Sequence, residues 1–300
     1  MVKRKVILDT DMGIDCDDAV ALGLLINLDN RDLVDLVAIT ASTARPGATA
    51  TIKAIMDYYG KNSIPVGKLT TTFLPCDHQN SYALAIQNQT GIKDTERNAL
   101  DVLRKTLAKS PEKITMIAVG PLTNMADLLQ SKPDHHSPLT GKELIKEKID
   151  TIYIMGGAFD KNDFPEWNIL QDIESAIIVN EKWPTEIIYS PHEVGFRIQT
   201  KMGEGNENPV WASMYHFAIY NNFCMKNGYS RYSWDPITCM AALPSFTSLF
   251  DFSPPGDVHI DQKGITSYHP NPQGNHRYIT LNSRITEIEQ VLNTLVERLN

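Results

Sequence analysis

Five aspartates, Asp9, Asp11, Asp15, Asp17 and Asp18, fall within the stretch "DTDMGIDCDD". Like charges this close repel one another, and burying even one unpaired carboxylate is costly and raises its pKa. A bound divalent cation removes both penalties. Carboxylate oxygens at a strand end suit a hard ion, Ca²⁺ or Mg²⁺, and no His or Cys pair accompanies them to favour zinc. An EF-hand loop does not fit, because Gly13 stands at the wrong place relative to Asp9 and no Glu closes the run. Simpler roles explain single members: Asp17 and Asp18 suit a helix start as caps, and Asp9 can accept backbone hydrogen bonds. Five together, with a glycine that lets the backbone approach a ligand, favour the metal.

The elements around this cluster follow a regular alternation. "KVILD" (5–9) is a β-rich run ending at the acids, and "AVALGLLINL" beyond them reads as a helix. "VDLVAIT" (34–40), "IPVGKL", "ITMIAV" (114–119), "DTIYIMGG" (150–157) and "TEIIYS" (185–190) read as further strands. Helical patterns cover 47–59, 95–109, 122–130 and 171–180, and 131–148 is a polar, Pro-bearing loop running into a short helix. The aromatic-rich 207–228 reads as helical, 257–281 as strands or turns, and a last helix begins near 283. This β-α-β order predicts an α/β fold, a single domain over 1–300 with a mostly parallel sheet flanked by helices. Ligands of such sheets sit beyond the carboxyl ends of the strands. Asp9 and Asp11, "GPLTN" (120–124) and "GGAFDKNDFPEWN" all fall there.

Composition narrows the partners. The net charge of −8 argues against nucleic acid. No apolar run approaches the ~18 residues of a membrane span. The apolar segment before Asp9 is too short for a secretory signal. Cys16, Cys76, Cys224 and Cys239 are widely spaced, form no C-x-x-C pattern, and read as reduced thiols of a cytoplasmic protein.

"DTDMGIDCDDAVAL" resembles the N-terminal signature of the nucleoside hydrolase family, inosine–uridine-preferring type. The likeness recurs in order: "MIAVGPLTNMADLL", "YIMGGAF…EWNILQDIESAIIV" and "SWDPITCMAAL" are similar to later segments of that family, over roughly residues 5 to 243. The resemblance implies the Rossmann-like α/β nucleoside hydrolase fold and hydrolysis of a ribose–base N-glycosidic bond, with Ca²⁺ at the bottom of the pocket. It implies a dimer or tetramer and a small nucleoside or riboside as substrate, within purine or pyrimidine salvage. Carried over by position, Asp11 is a metal ligand and the general base. Asp18, the backbone carbonyl of Thr123 and Asp235 complete the metal shell. Glu166 and Asn168 hold the ribose 5′-hydroxyl, with Asn162 assisting.

Three departures mark this chain. The segment G-I-D-C-D-D has two residues more than the family's usual G-x-D-D, so Asp15 or Asp17 takes the place that touches the ribose 2′-hydroxyl, and Asp15 is an alternative metal ligand; counting back from Ala19 favours Asp17. Arg45 stands near the position of a family Asn, either as a surface residue or as a new polar contact. Trp234 replaces the His beside the leaving base; it can stack on an aromatic ring but has no useful proton to give. Leaving-group assistance then falls to His78, Tyr215, His216, Tyr229, Arg231 or Tyr232, with His192 at the rim and His135 and His136 solvated in a polar loop. Two other functions compete: a nucleoside- or sugar-binding homologue that kept the metal but lost its acid, and, from "LDTDMG", a haloacid-dehalogenase-type phosphatase, which Gly13 already argues against.

Overall fold

A computed structural model describes residues 3–70, 81–160, 164–205, 207–225, 228–280 and 284–296. The first strand, β1 (Arg4–Thr10), carries the apolar run Val6–Leu8 and is buried from Val6 to Thr10, as a central strand covered on both faces requires. Its alternate side chains enter different layers. Val6 and Leu8 join one core cluster with α1 (Asp17–Asn30) and α2 (Ala48–Tyr58), while Ile7 faces the other.

Five strands join β1 in parallel: β2 (Val34–Ala41), β3 (Val66–Lys68), β4 (Ile114–Ala118), β5 (Ile149–Met155) and β6 (Glu186–Ser190). Between β3 and β4 lie α3 (Tyr82–Thr90) and α4 (Ala99–Lys109); α5 (Thr123–Gln130) and α6 (Gly141–Lys148) lead to β5. After β5 come α7 (Trp167–Gln171) and α8 (Ile173–Lys182), and after β6 the single turn α9 (His192–Gly195). A short antiparallel ribbon, β7 (Gln199–Lys201) with β8 (Ser230–Tyr232), brackets α10 (Pro209–Tyr220) and leads into α11 (Trp234–Ala241). The chain then returns to the sheet through β9 (Asp251–Phe252), β10 (Gly256–Ile260), β11 (Thr266–Pro270) and β12 (His276–Thr280), and closes with α12 (Ile285–Val296).

The sheet order is β11-β10-β12-β6-β5-β4-β1-β2-β3, with β9 on β12. It is parallel from β3 to β12, and β10, β11 and β9 extend it in the antiparallel sense. Helices cover both faces, so the mostly parallel α/β architecture expected above is the one observed. The expected helix over 207–228 stops at Tyr220, and α3 is a helix the apolar pattern did not announce.

α1 is buried on nearly every side, wedged among β2, α2, α10, α11 and α12. A helix enclosed in this way can afford apolar residues all round, which is how "AVALGLLINL" reads. Its first residues, Asp17 and Asp18, are its only charges inside that wedge, so they must be held by something other than water.

Candidate active site

A cavity of about 520 Å³ opens at the carboxyl end of the parallel strands, between β1, β4 and β5 below and α10 and α11 above. Asp11, Asp15, Asp17, Asp18, Glu166, Asn168, Trp234 and Asp235 all line it. Asp17 and Asp18 do not cap α1 by hydrogen bonds, contrary to the simple reading; the N-cap position is held by Cys16, with no side-chain cap. Asp18 instead accepts a bond from the Thr10 hydroxyl, and Asp17 accepts one from the backbone N–H of Asp235 at 3.1 Å. That bond ties α1 to α11 across 218 residues.

Carboxylate oxygens of Asp17, Asp18 and Asp235 lie within 4.8 Å of one another, all buried. Among the described residues none of the three is in an ion pair. Burial, then repulsion from neighbouring aspartates (Asp15 and Asp11 as well as one another), pushes each carboxyl well above its ordinary range. Three convergent buried oxygens with no ion-pair partner among the described residues are a donor set for a hard cation. Asp17 thus belongs to this group as well as to the ribose side of the cavity assigned to it above. Asp11 stands beside the trio, its carboxyl raised to about 7 by burial against the lowering effect of Arg45. Thr123 is buried at the start of α5 with its hydroxyl on Asp172, and its side chain is not part of the cavity wall.

The loop after β4 can pass this close to Asp11 only because residue 120 is glycine: a Cβ there would sit 2.4 Å from Ser42 Oγ and 2.8 Å from Asp11 Cβ. Asn168 donates to the carbonyls of Val119 (3.1 Å) and Met155 (3.2 Å), which fixes its amide at the ends of β4 and β5. Glu166 caps α7, accepting from the N–H groups of Asn168 and Ile169, while burial raises its carboxyl to about 7. Asn162 and His78 lie outside the described residues.

Arg45 is not a surface residue. It is 9% exposed, and its Nε has no hydrogen-bond partner among the described residues. Asp15, the alternative to Asp17 in the count, is engaged elsewhere: Arg231 Nε donates to its two oxygens at 2.9 and 3.0 Å. The Arg231 guanidinium lies 5.1 Å from the Phe217 ring centroid and 5.3 Å from that of Trp234. The Trp234 indole N–H donates to the His192 carbonyl at 2.9 Å. Residue 195 must be glycine for this packing, since a Cβ there would lie 2.4 Å from Trp234 Cα.

Of the leaving-group candidates, Arg231 and His192 line the cavity. Desolvation lowers the His192 pKa, and its ring sits among Phe164, Phe196 and Trp234. His216 stacks on Tyr220 and edges Tyr215 along α10, Tyr229 is buried, and Tyr232 stacks on Phe196. Phe164, Phe217 and Asn221 are wall residues that sequence reasoning did not single out; only the aromatic density of 211–234 hinted at Phe217.

The model of the family described as inosine-uridine preferring nucleoside hydrolase matches residues 6–284. A pyrimidine-specific ribonucleoside hydrolase RihA of Citrobacter koseri is 32% identical over 190 residues, 58% of this chain and 55% of its own length. The probable uridine nucleosidase 2 of Arabidopsis thaliana is 28% identical over 191 residues, 59% of this chain and 56% of its own. The match therefore spans little more than half the length of these curated relatives. In three dimensions the plant nucleoside hydrolase PpNRh1 superposes with a TM-score of 0.75 at 21% identity, covering 99% of this chain and 98% of that one. The family match leaves no support for the phosphatase reading.

Proposed function

Because the chain belongs to the inosine-uridine preferring nucleoside hydrolase family, we propose that it hydrolyses the N-glycosidic bond of ribonucleosides with Ca²⁺ as its cofactor. The observation that carries this reading is the convergence of Asp17, Asp18 and Asp235 beside Asp11 in a cavity that Glu166 and Asn168 also line. Asp17, Asp18 and Asp235 would hold the ion, with Asp11 and the Thr123 carbonyl beside them. A bound Ca²⁺ has oxygen positions enough to grip a vicinal diol and to acidify a water.

The chain's own groups supply the rest. Asp11 accepts the proton of the attacking water, a role that a carboxylate kept ionised beside the cation can fill. Glu166 and Asn168 hold the sugar's 5′ end, far from the bond that breaks, so their binding energy orients the anomeric carbon. The surrounding carboxylates favour the positive charge that grows on the ribosyl ring in an oxocarbenium-like transition state. On the base side, Trp234 offers a flat face for stacking. Its N–H is committed to a backbone carbonyl, so it gives no proton. Arg231 is the cation that faces the departing base, and a fixed guanidinium stabilises negative charge there without transferring a proton. The free thiols of Cys16, Cys224 and Cys239 fit a cytoplasmic salvage enzyme, and a dimer or tetramer is the assembly we expect. Among the described residues no helix is long and apolar enough to cross a membrane.

The test is a comparison of p-nitrophenyl riboside with inosine and uridine in the presence of Ca²⁺. The p-nitrophenolate leaves without acid assistance, so its release reports the sugar and metal side alone. We expect cleavage of all three, with Arg231→Ala cutting nucleoside turnover far more than turnover of the nitrophenyl compound. Ribose release from none of them, in folded Ca²⁺-loaded protein, would leave a binding homologue as the better description.

A further inference from the structure

A second group of ligating side chains lies outside the cavity, where the α5–α6 connection meets α4. One ligand atom from each of Asp101, His135 and His136 lies within 4.8 Å of the other two. The His136 Nε2–Asp101 Oδ1 distance is 2.7 Å, and the two imidazole centroids are 3.8 Å apart. Sequence reading treated both histidines as solvated members of a polar loop; the structure brings them onto an acidic partner from another element.

That loop is built rather than merely draped. Arg104, 1% exposed, reaches from α4 into it and binds Asp134 through Nε (2.7 Å) and Nη2 (3.0 Å). The same guanidinium donates to Ser131 Oγ and to the carbonyls of Ser137 and Leu139. Asp134 in turn accepts from the backbone N–H groups of His136 and Ser137. Asp101 and Arg104 are three residues apart and share one face of α4, so the buried arginine that shapes the loop also aligns it with Asp101. The two imidazoles are thus presented on a backbone whose conformation is already fixed.

We propose that Asp101, His135 and His136 form a second metal site, for a borderline transition ion of the Zn²⁺ class. Two imidazoles and one carboxylate are zinc-type donors, unlike the all-oxygen set in the cavity. Ligands about 2.0–2.2 Å from a tetrahedral ion lie roughly 3.3–3.6 Å apart, a spread reached here by small side-chain rotations. The exposed side leaves a fourth position to water. An ion held there staples α4 to the α5–α6 connection and stabilises the folded chain without touching the cavity.

The experiment titrates the full chain with Zn²⁺ by calorimetry, with excess Ca²⁺ present to occupy oxygen sites, and follows the melting temperature alongside. We expect one saturable Zn²⁺ equivalent and a raised melting temperature. His135→Ala and Asp101→Asn should each weaken that binding at least about tenfold. Their melting temperatures without zinc should match the parent, which separates ligand loss from misfolding. Undiminished Zn²⁺ uptake in both variants, for instance through the exposed thiol of Cys224, would overturn the assignment, as would no saturable uptake by the parent.

Discussion

Asp9 and Asp11 are neighbours on the same run, both buried and both raised to about 7, yet they have opposite surroundings. Asp11 lines the cavity. Asp9 lies beneath it, where one oxygen accepts from Thr40 and from Asn124 (2.7 Å) and the other has no partner among the described residues. The two should therefore respond differently to mutation. Asp11→Ala removes the base and should lower turnover by at least about 10²–10⁴-fold while circular dichroism shows a folded chain; substantial turnover in that variant would refute the base assignment. Asp9→Asn keeps the accepting oxygen and mimics the neutral acid, so it should keep turnover within a few-fold. It should also flatten the fall of stability with pH that Asp9 imposes, which denaturant melts at pH 5 and pH 8 would read. Glu166, Asn168 and Trp234 stood out only through the family resemblance, whereas the acidic run itself was plain in the sequence from residue type and spacing. The Asp15–Arg231 pair was not, since 216 residues separate its members and no local pattern encodes them. The burial of Arg45 was equally invisible: an arginine after a strand reads the same whether it faces water or a carboxylate.

Each element of the site delivers its residue through a close approach. The loop after β4 crosses Asp11 at Gly120, where a Cβ would meet Asp11 N at 2.9 Å as well as Ser42 Oγ. Backbone cannot yield there as a flexible side chain would. Gly120→Ala should therefore cost about 1–3 kcal/mol in denaturant melts and shift Asp11, cutting turnover more than it weakens substrate binding; unchanged kinetics in that variant would show the loop to be slack. Elements with long apolar runs were legible: β1, β2, β4, β5 and β6 fall within a residue or two of expectation. Those whose existence depends on distant partners were not. α3 is anchored by its Tyr82 hydroxyl, which accepts from Gly13 N and donates to the Asp15 carbonyl, contacts that exist only once α3 and the acidic loop have met. The three-residue strands β7 and β8 form because each finds the other, and neither sequence carries an alternating pattern long enough to announce it.

At the scale of the whole molecule, the sheet places negative charge from chain positions 11 to 235 in one enclosed volume, and folding must meet that cost. Without a cation, Asp9 and Glu166 keep their protons to about pH 7, whereas in the unfolded chain they lose them near 3.8 and 4.5. The folded state then binds more protons than the unfolded one across that window, so stability falls as pH rises through it. Asp9 alone contributes a loss on the order of 4 kcal/mol at the upper end. Asp17, Asp18 and Asp235 are also raised by burial and act in the same direction. A cation reverses the trend, because it binds their ionised forms and displaces their protons, so its affinity rises with pH. At a free concentration of 100 Kd it stabilises the fold by about 2.7 kcal/mol. Chelator-treated protein should therefore melt at a lower temperature at pH 8 than at pH 5, and excess Ca²⁺ should raise the melting temperature far more at pH 8. Mg²⁺, which holds to a stricter octahedron and keeps its waters, should do less at equal concentration. A Ca²⁺ response that is equal at the two pH values would mean that the ion is not held by these raised carboxyls.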